Sequence, residues 1–274
     1  MILRVGYPLK IAVVGYQNSG KTYAAELTIK ALKSYPLKIL AVKHVPDDSF
    51  SIDRRGSDSW RMRSAGADAV IVASPKELSV IYPGDGGMDY GTPQYQRIIR
   101  DYDVIVMEGF KDKALSDPSI AKILCVRNTD DLDAFNSKLK GDLVASCSLS
   151  DLDGLTLILG RQDDELRRRV TEYFEYFTEV KRIMGELPRL DCGRCGYPSC
   201  FEMAKAIYRG RGKLENCPVA SSSLDVEVEI GDSKLPMQPF VARMIKSTVL
   251  GMISSLKGAE ITGDEKLKIK IIQQ

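Results

Sequence analysis

Apolar residues fall along the first two-thirds of the chain in short, unbroken runs separated by helical stretches. LKIAVVGY (Leu9 to Tyr16), LKILAVKH (Leu37 to His44), ADAVIVAS (Ala67 to Ser74), YDVIVMEGF (Tyr102 to Phe110), KILCVRN (Lys122 to Asn128) and DLVASCSL (Asp142 to Leu149) each read as a strand. Continuous rather than alternating apolarity is what a strand buried on both faces requires. From Lys21 to Ser34 the spacing is helical, with Ala24, Leu27, Ile29, Ala31 and Leu32 apolar, no internal Gly or Pro, and Pro36 just beyond. Shorter helices are predicted over Asp58 to Ala65 and Gln94 to Arg100, a long charged one over Asp163 to Met184, and loops over Pro46 to Arg55 and Tyr82 to Pro93. Strand, crossover helix, strand predicts an α/β fold: a mostly parallel sheet flanked by helices.

The pattern changes near residue 186. Leu187 to Ser223 is dominated by Cys, Gly and Pro, with one short helical stretch. Ser221 to Ile230 alternates like a half-buried strand, Gly231-Asp232 supplies a turn, Val241 to Leu256 is amphipathic, and Leu267 to Ile272 alternates again. The expected organisation is an α/β domain over 1–185, a cysteine module over 186–222 and a small α+β tail over 223–274.

Composition alters this picture little. The 274 residues carry 39 Lys and Arg against 37 Asp and Glu, with no block of one sign, which argues against nucleic acid or a membrane surface as partner. No apolar run is long enough to span a bilayer and Met1 to Leu9 lacks a signal-peptide layout, so a cytoplasmic location is expected.

Chemistry enters first at Gly15-Tyr16-Gln17-Asn18-Ser19-Gly20-Lys21-Thr22, which meets G-x-x-x-x-G-K-[ST] in full between a strand and a helix. Glycines let successive N–H groups wrap phosphate, and the helix N-terminus adds partial positive charge. Lys21 supplies a mobile charge for the outer phosphates and the Thr22 hydroxyl a ligand for Mg²⁺. The motif predicts a nucleoside-triphosphatase fold. Glu108, at the tip of a buried strand, is placed to reach the metal or its water. Asp47, Asp48 and Asp53 occupy the loop after the second strand, where a metal-facing carboxylate or a plain solvated charge is equally at home. His44, the one histidine, reads as a loop or core residue before it reads as a base. Arg54, Arg55, Arg61 and Arg63 suit either a phosphate-rich ligand or a solvated face. Asn128-Thr129-Asp130-Asp131 gives N-x-x-D, in which Asp131 could accept from guanine N1–H and N2–H, although Thr129 stands where guanine-reading motifs carry Lys.

Four of the six cysteines crowd into C-x2-C-x4-C-x16-C: Cys192, Cys195, Cys200 and Cys217. Four thiolates suit a tetrahedral Zn²⁺ or an iron–sulfur cluster. Gly193 and Gly196 between the ligands, Pro218 after the last, and the absence of a second C-x2-C pair favour [4Fe–4S]; redox-active thiols without metal are the third reading. Cys125 and Cys147 read as buried core thiols.

The phosphate loop, Lys43-His44, the run Phe50 to Ser59, Arg63 to Ala67 and Met107-Glu108-Gly109-Phe110-Lys111 together resemble the MobB family, P-loop adaptors of molybdopterin-guanine dinucleotide biosynthesis, over about Leu9 to Leu149. The resemblance implies GTP binding with slow hydrolysis, a homodimer, and a nucleotidyltransferase partner that joins GMP to molybdopterin. It also implies that Lys21 and Thr22 serve phosphate and Mg²⁺, with Asp53 and Glu108 as Mg²⁺-associated carboxylates. The family's further histidines after the Lys-His pair are replaced here by Val45-Pro46-Asp47-Asp48. Leu187 to Pro218 is similar to a four-cysteine [4Fe–4S] module of corrinoid proteins and of a membrane electron-transport subunit. The alternative reading is therefore a nucleotide-gated electron-transfer or cluster-delivery protein, with an electron-transfer partner.

Overall fold

The computed structural model describes residues 8–47, 49–82, 92–220, 226, 228–230, 233–235 and 237–256. Asp48, most of the Tyr82 to Pro93 loop, the Gly231-Asp232 turn and the strand expected over Leu267 to Ile272 lie outside the described residues.

The chain divides into two compact units, Met1–Glu175 and Tyr176–Gln274. In the first, the elements run β1 (Leu9–Gly15), α1 (Lys21–Leu32), β2 (Ile39–Lys43), α2 (Asp58–Ser64), β3 (Val70–Ala73), β4 (Leu78–Ile81), α3 (Pro93–Ile99), β5 (Val104–Glu108), α4 (Lys111–Ser116), β6 (Ala121–Val126), α5 (Thr129–Asn136), β7 (Leu143–Ser148) and β8 (Leu157–Ile158), before the long α6 (Asp163–Gly185). Six strands form one sheet in the order β2-β5-β1-β6-β7-β8, and every pairing in it is parallel.

The continuous apolar runs of β1, β5 and β6 follow from their central place, with residues buried on both faces. Ala12, Val14, Ile105, Met107, Leu124 and Val126 face one way, onto Phe110, Leu115, Leu132 and Phe135 of the α4 and α5 region. Ile11, Val13, Val104, Val106 and Ile123 alternate with them and are equally buried, so they face the opposite side of the sheet. Burying one Leu- or Ile-sized side chain is worth roughly 1.5–3 kcal/mol, which makes this doubly covered centre the rigid base of whatever the strand ends carry.

One expected strand changes place, and two short helices are added. The run Ala67 to Ser74 does not join the main sheet: β3 pairs antiparallel with β4 in a separate two-stranded hairpin, and Ile71, Leu78 and Val80 on it are exposed. An apolar β-branched run is compatible with either setting, and only pairing decides. The helices α4 and α5 were unpredicted because at six and eight residues they are too short to show a period. In the second unit, Val180 and Ile183 near the end of α6 pack with Leu187, Met203, Ala204 and Val219 in its core.

That second unit contains α7 (Cys200–Tyr208), a 3-10 turn at Leu214–Asn216, the short hairpin β9 (Glu229–Ile230) and β10 (Ser233–Lys234), and α8 (Pro239–Ser254). Among the described residues no helix is long and apolar enough to cross a membrane.

Candidate functional site

The sheet register sets the first site. Val13 on β1 and Lys43 on β2 are both Cα partners of Glu108 on β5, and Gly15 is the partner of Cys125 on β6. Four adjacent strands thus end at one level, and the phosphate loop crosses their carboxyl ends, where open α/β sheets hold ligands.

The loop itself is tightly determined. Gly15 has no room for a side chain: an added Cβ would lie 2.2 Å from the Cys125 carbonyl oxygen and 2.4 Å from Ser19 Oγ. Asn18 and Gly20 take left-handed backbone, at φ 60° and 84°, a region Gly enters freely and Asn tolerates. Buried Ser19 donates its hydroxyl to the Tyr16 carbonyl at 2.9 Å, and Lys21 Nζ donates to the same oxygen. Burial draws the Lys21 ammonium below its ordinary pKa while Glu108 pulls it back up.

Thr22 Oγ1 donates to Glu108 Oε1 at 3.0 Å, so the two expected Mg²⁺ residues are in contact. Lys43 Nζ lies 3.0 and 3.1 Å from the two oxygens of the same carboxylate. A hydroxyl and a carboxylate oxygen side by side next to the phosphate lysine are hard oxygen donors of the kind Mg²⁺ takes. Lys43 was not singled out as a site residue; its direct register with Glu108 is the signal, visible only once strand pairing is known.

Asp53 stands apart from this group. Its Oδ1 accepts from Ser57 at 2.9 Å and Ser59 at 2.7 Å, the start of α2, and these hydroxyls hold its pKa down, Ser59 first. Its Oδ2 is buried with no hydrogen-bond partner among the described residues. An unpaired buried carboxylate oxygen fits a cation-associated role, yet its hydrogen bonds tie it to α2 and not to the phosphate loop. Asp47 closes a local turn with Ser49, at 2.9 Å to the backbone N and 2.6 Å to the hydroxyl. His44 packs its ring 4.9 Å from Phe110, as a core-edge residue.

Asn128 and Asp131 meet at the start of α5. Asn128 caps α5, its side-chain oxygen accepting from Asp131 N at 2.9 Å. The Asp131 carboxylate is taken by Arg127, Nε to Oδ2 at 2.8 Å and Nη2 to Oδ1 at 3.0 Å. N-x-x-D is here a helix cap joined to an arginine fork.

In the second unit Cys192, Cys195, Cys200 and Cys217 all line one pocket, walled also by Pro188, Leu190, Tyr197 and Val219. Gly193 and Gly196 adopt φ of 70° and 86°, as wrapping the chain around a ligand requires. Cys200 opens α7 behind the cap Ser199, and its backbone N–H donates to Asp191 Oδ1 at 2.7 Å. Burial raises the Cys200 thiol above its ordinary pKa. Ala220 N donates to Cys217 Sγ at 3.4 Å. An amide N–H on a cysteine sulfur stabilises thiolate charge, and four thiols around one apolar pocket suit an iron–sulfur cluster. Among the described residues no three His, Cys, Asp or Glu side chains are gathered closely enough to hold a single metal ion. Cys125 and Cys147 are fully buried neighbours in the β6–β7 register, as expected of core thiols.

Comparison with known proteins follows the same division. Residues 10–148 match the family model "Molybdopterin guanine dinucleotide synthesis protein B", and residues 187–219 match one described as "Putative Fe-S cluster". A Methanocaldococcus jannaschii protein named "Putative molybdopterin-guanine dinucleotide biosynthesis adapter protein" is 28% identical over 268 residues, spanning 95% of this chain and 97% of that one. The Haemophilus influenzae molybdopterin-guanine dinucleotide biosynthesis adapter protein is 31% identical over 107 residues, 38% of this chain and 58% of its own length. A crystal structure of molybdopterin-guanine biosynthesis protein B superposes on 61% of this chain and 99% of its own, at 22% identity and a TM-score of 0.45. The first match takes in just over half of the 274 residues, and the chain belongs to the molybdopterin guanine dinucleotide synthesis protein B family.

Proposed function

We propose that the protein is a GTP-binding adapter with slow GTPase activity in molybdopterin-guanine dinucleotide biosynthesis. It works as a homodimer with a molybdopterin nucleotidyltransferase and carries a [4Fe–4S] cluster in its second unit. The observation that carries the nucleotide reading is the cluster of Lys21, Thr22, Glu108 and Lys43 at the ends of three adjacent strands, beneath a loop whose Gly15 admits no side chain and whose Gly20 takes left-handed backbone. The backbone N–H groups over Gly15, Asn18, Ser19 and Gly20 bind phosphate, and Lys21 exchanges the Tyr16 carbonyl for a phosphate oxygen. Thr22 and Glu108 hold Mg²⁺, and Asp53 offers its unpaired Oδ2. When bound, the metal neutralises phosphate charge. Molybdopterin-guanine dinucleotide synthesis supplies the reason for guanine; the names carried by the relatives support that role.

The cluster reading rests on four thiols around one pocket, on the left-handed turns at Gly193 and Gly196, and on the Ala220 N–H donated to Cys217 Sγ. A bound cluster supplies one-electron chemistry; the protein's share is four ligands and the amides that stabilise their charge. Equilibrium binding tests the first reading: GTP should bind saturably and ATP far more weakly, and an ATP preference would overturn it. Protein purified without oxygen should be brown with about four irons per chain. A colourless, zinc-loaded product of the same preparation would overturn the second.

A further inference from the structure

The arginine fork after β6 has no part in the machinery described so far, yet it lies against the phosphate loop. Tyr16, the loop's second residue, stacks on Phe135 with centroids 5.2 Å apart and planes at 24°. Two cations cover the same ring: the Arg127 guanidinium carbon is 4.5 Å from its centroid and Lys111 Nζ is 4.3 Å. Tyr16 is also the residue whose carbonyl holds Lys21 and Ser19. One aromatic ring therefore ties the phosphate lysine, through its own backbone, to an arginine on the neighbouring strand end.

The arginine is oriented in advance. Asp131 grips it through Nε and Nη2, and accepts the Arg127 backbone N–H as well at 3.1 Å. Of the five N–H donors of a guanidinium, two are used. Among the described residues the others meet no acceptor, and the side chain is about half exposed. Asp131 itself is buried and neutralised by this pair, its carboxyl held below the usual range by Arg127. Burial chiefly lowers the Lys21 pKa, and the charge of Arg127 adds to that lowering. Among the described residues the cations Lys21, Lys43, Lys111 and Arg127 around the loop are met by the carboxylates of Glu108 and Asp131, an excess of positive charge that suits a polyphosphate.

We infer that Arg127, held by Asp131 against Tyr16, is a phosphate-binding residue of the nucleotide site, a second fixed cation beside Lys21. The inference rests on the nucleotide-binding reading above. A fork of this kind cannot be copied by lysine, which has neither the plane nor the paired donors. The segment expected to read the base thus serves the phosphates instead.

The test is nucleotide affinity of the full-length protein with Mg²⁺, for GTP and ATP, in Arg127→Ala, Arg127→Lys and Asp131→Asn, with thermal melting as a check on folding. Arg127→Ala should weaken both nucleotides by about ten- to a hundred-fold and by the same factor, as loss of a charge-assisted phosphate contact does. Arg127→Lys should recover part of the loss, and millimolar guanidinium should restore affinity to Arg127→Ala, which repair of a packing defect would not do. Asp131→Asn should weaken binding several-fold with Arg127 still present. Unchanged affinity in a folded Arg127→Ala protein would overturn the inference alone; so would a loss confined to GTP, which would make Arg127 a base reader. Equal affinity in wild type and Lys21→Ala would remove the nucleotide reading itself, and the inference with it.

Discussion

Replacing Gly15 by alanine separates the sheet's role in the site from its role in stability. The new methyl would sit 2.2 Å from the Cys125 carbonyl oxygen, a backbone atom of the buried β6 strand, and 2.4 Å from Ser19 Oγ. Contacts that short cannot stand, and β6 is fixed by parallel neighbours on both sides. The loop must move, and Ser19 with it, which breaks the bond to the Tyr16 carbonyl that shapes the phosphate nest. Overpacking of this size costs about 1–3 kcal/mol. At roughly 3 °C per kcal/mol for a domain of this length, melting should fall by about 3–9 °C. Gly160→Ala is the control: its φ is 84° and nothing lies within 4 Å of an added Cβ, so it loses about 1–2 kcal/mol from backbone strain alone. Calorimetric melting and GTP titration of both variants should show comparable losses of stability, with affinity lost only in Gly15→Ala, by at least about tenfold. A Gly15→Ala protein that binds GTP within about twofold of wild type, when a tenfold loss is only ~1.4 kcal/mol, would refute the reasoning.

Thr22→Ala and Glu108→Gln should each reduce the Mg²⁺ dependence of GTP binding, and the double variant should lose less than the sum, because the two share one hydrogen bond at 3.0 Å. Strict additivity in titrations with and without Mg²⁺ would contradict this. Cys125 and Cys147 are fully buried, burial raising the first thiol well above its ordinary pKa and the second to about 12. Alkylation at pH 8 followed by mass spectrometry should leave both untouched in the folded protein and modify both after unfolding; labelling of either in the folded state would contradict their place in the core. Arg168 and Arg169 hold the Glu165 carboxyl at about 2 against an ordinary 4.5. A depressed folded pKa stabilises above the unfolded value, so its contribution is complete above about pH 4.5 and fades as pH falls towards 2. Urea unfolding of wild type and Glu165→Gln should accordingly converge as pH drops through that window, and a gap that widened would reverse the sign.

Much of this molecule is written locally. The phosphate loop needs only adjacent residues: glycines where the backbone turns left or meets a strand, and a lysine and threonine opening α1. The central strands announce themselves because a strand covered on both faces has no polar side to show. Four clustered cysteines with intervening glycines bring their own ligand set together within 26 residues, from Cys192 to Cys217. Long-range pairing decided the rest. Thr22 meets Glu108 across 86 positions, and Lys43 meets it across 65, because β1, β5 and β2 lie in register. The run Val70–Ala73 has the composition of a sheet strand, but its partner Leu78–Ile81 places it outside the main sheet. N-x-x-D carries the letters of a base reader, and only the neighbouring Arg127 and the cap of α5 turn it into a clamp beside Tyr16. Propensity and spacing act over a few residues and survive in the sequence. Which strand ends meet is set by how the sheet closes its core, and that is a property of the tertiary structure.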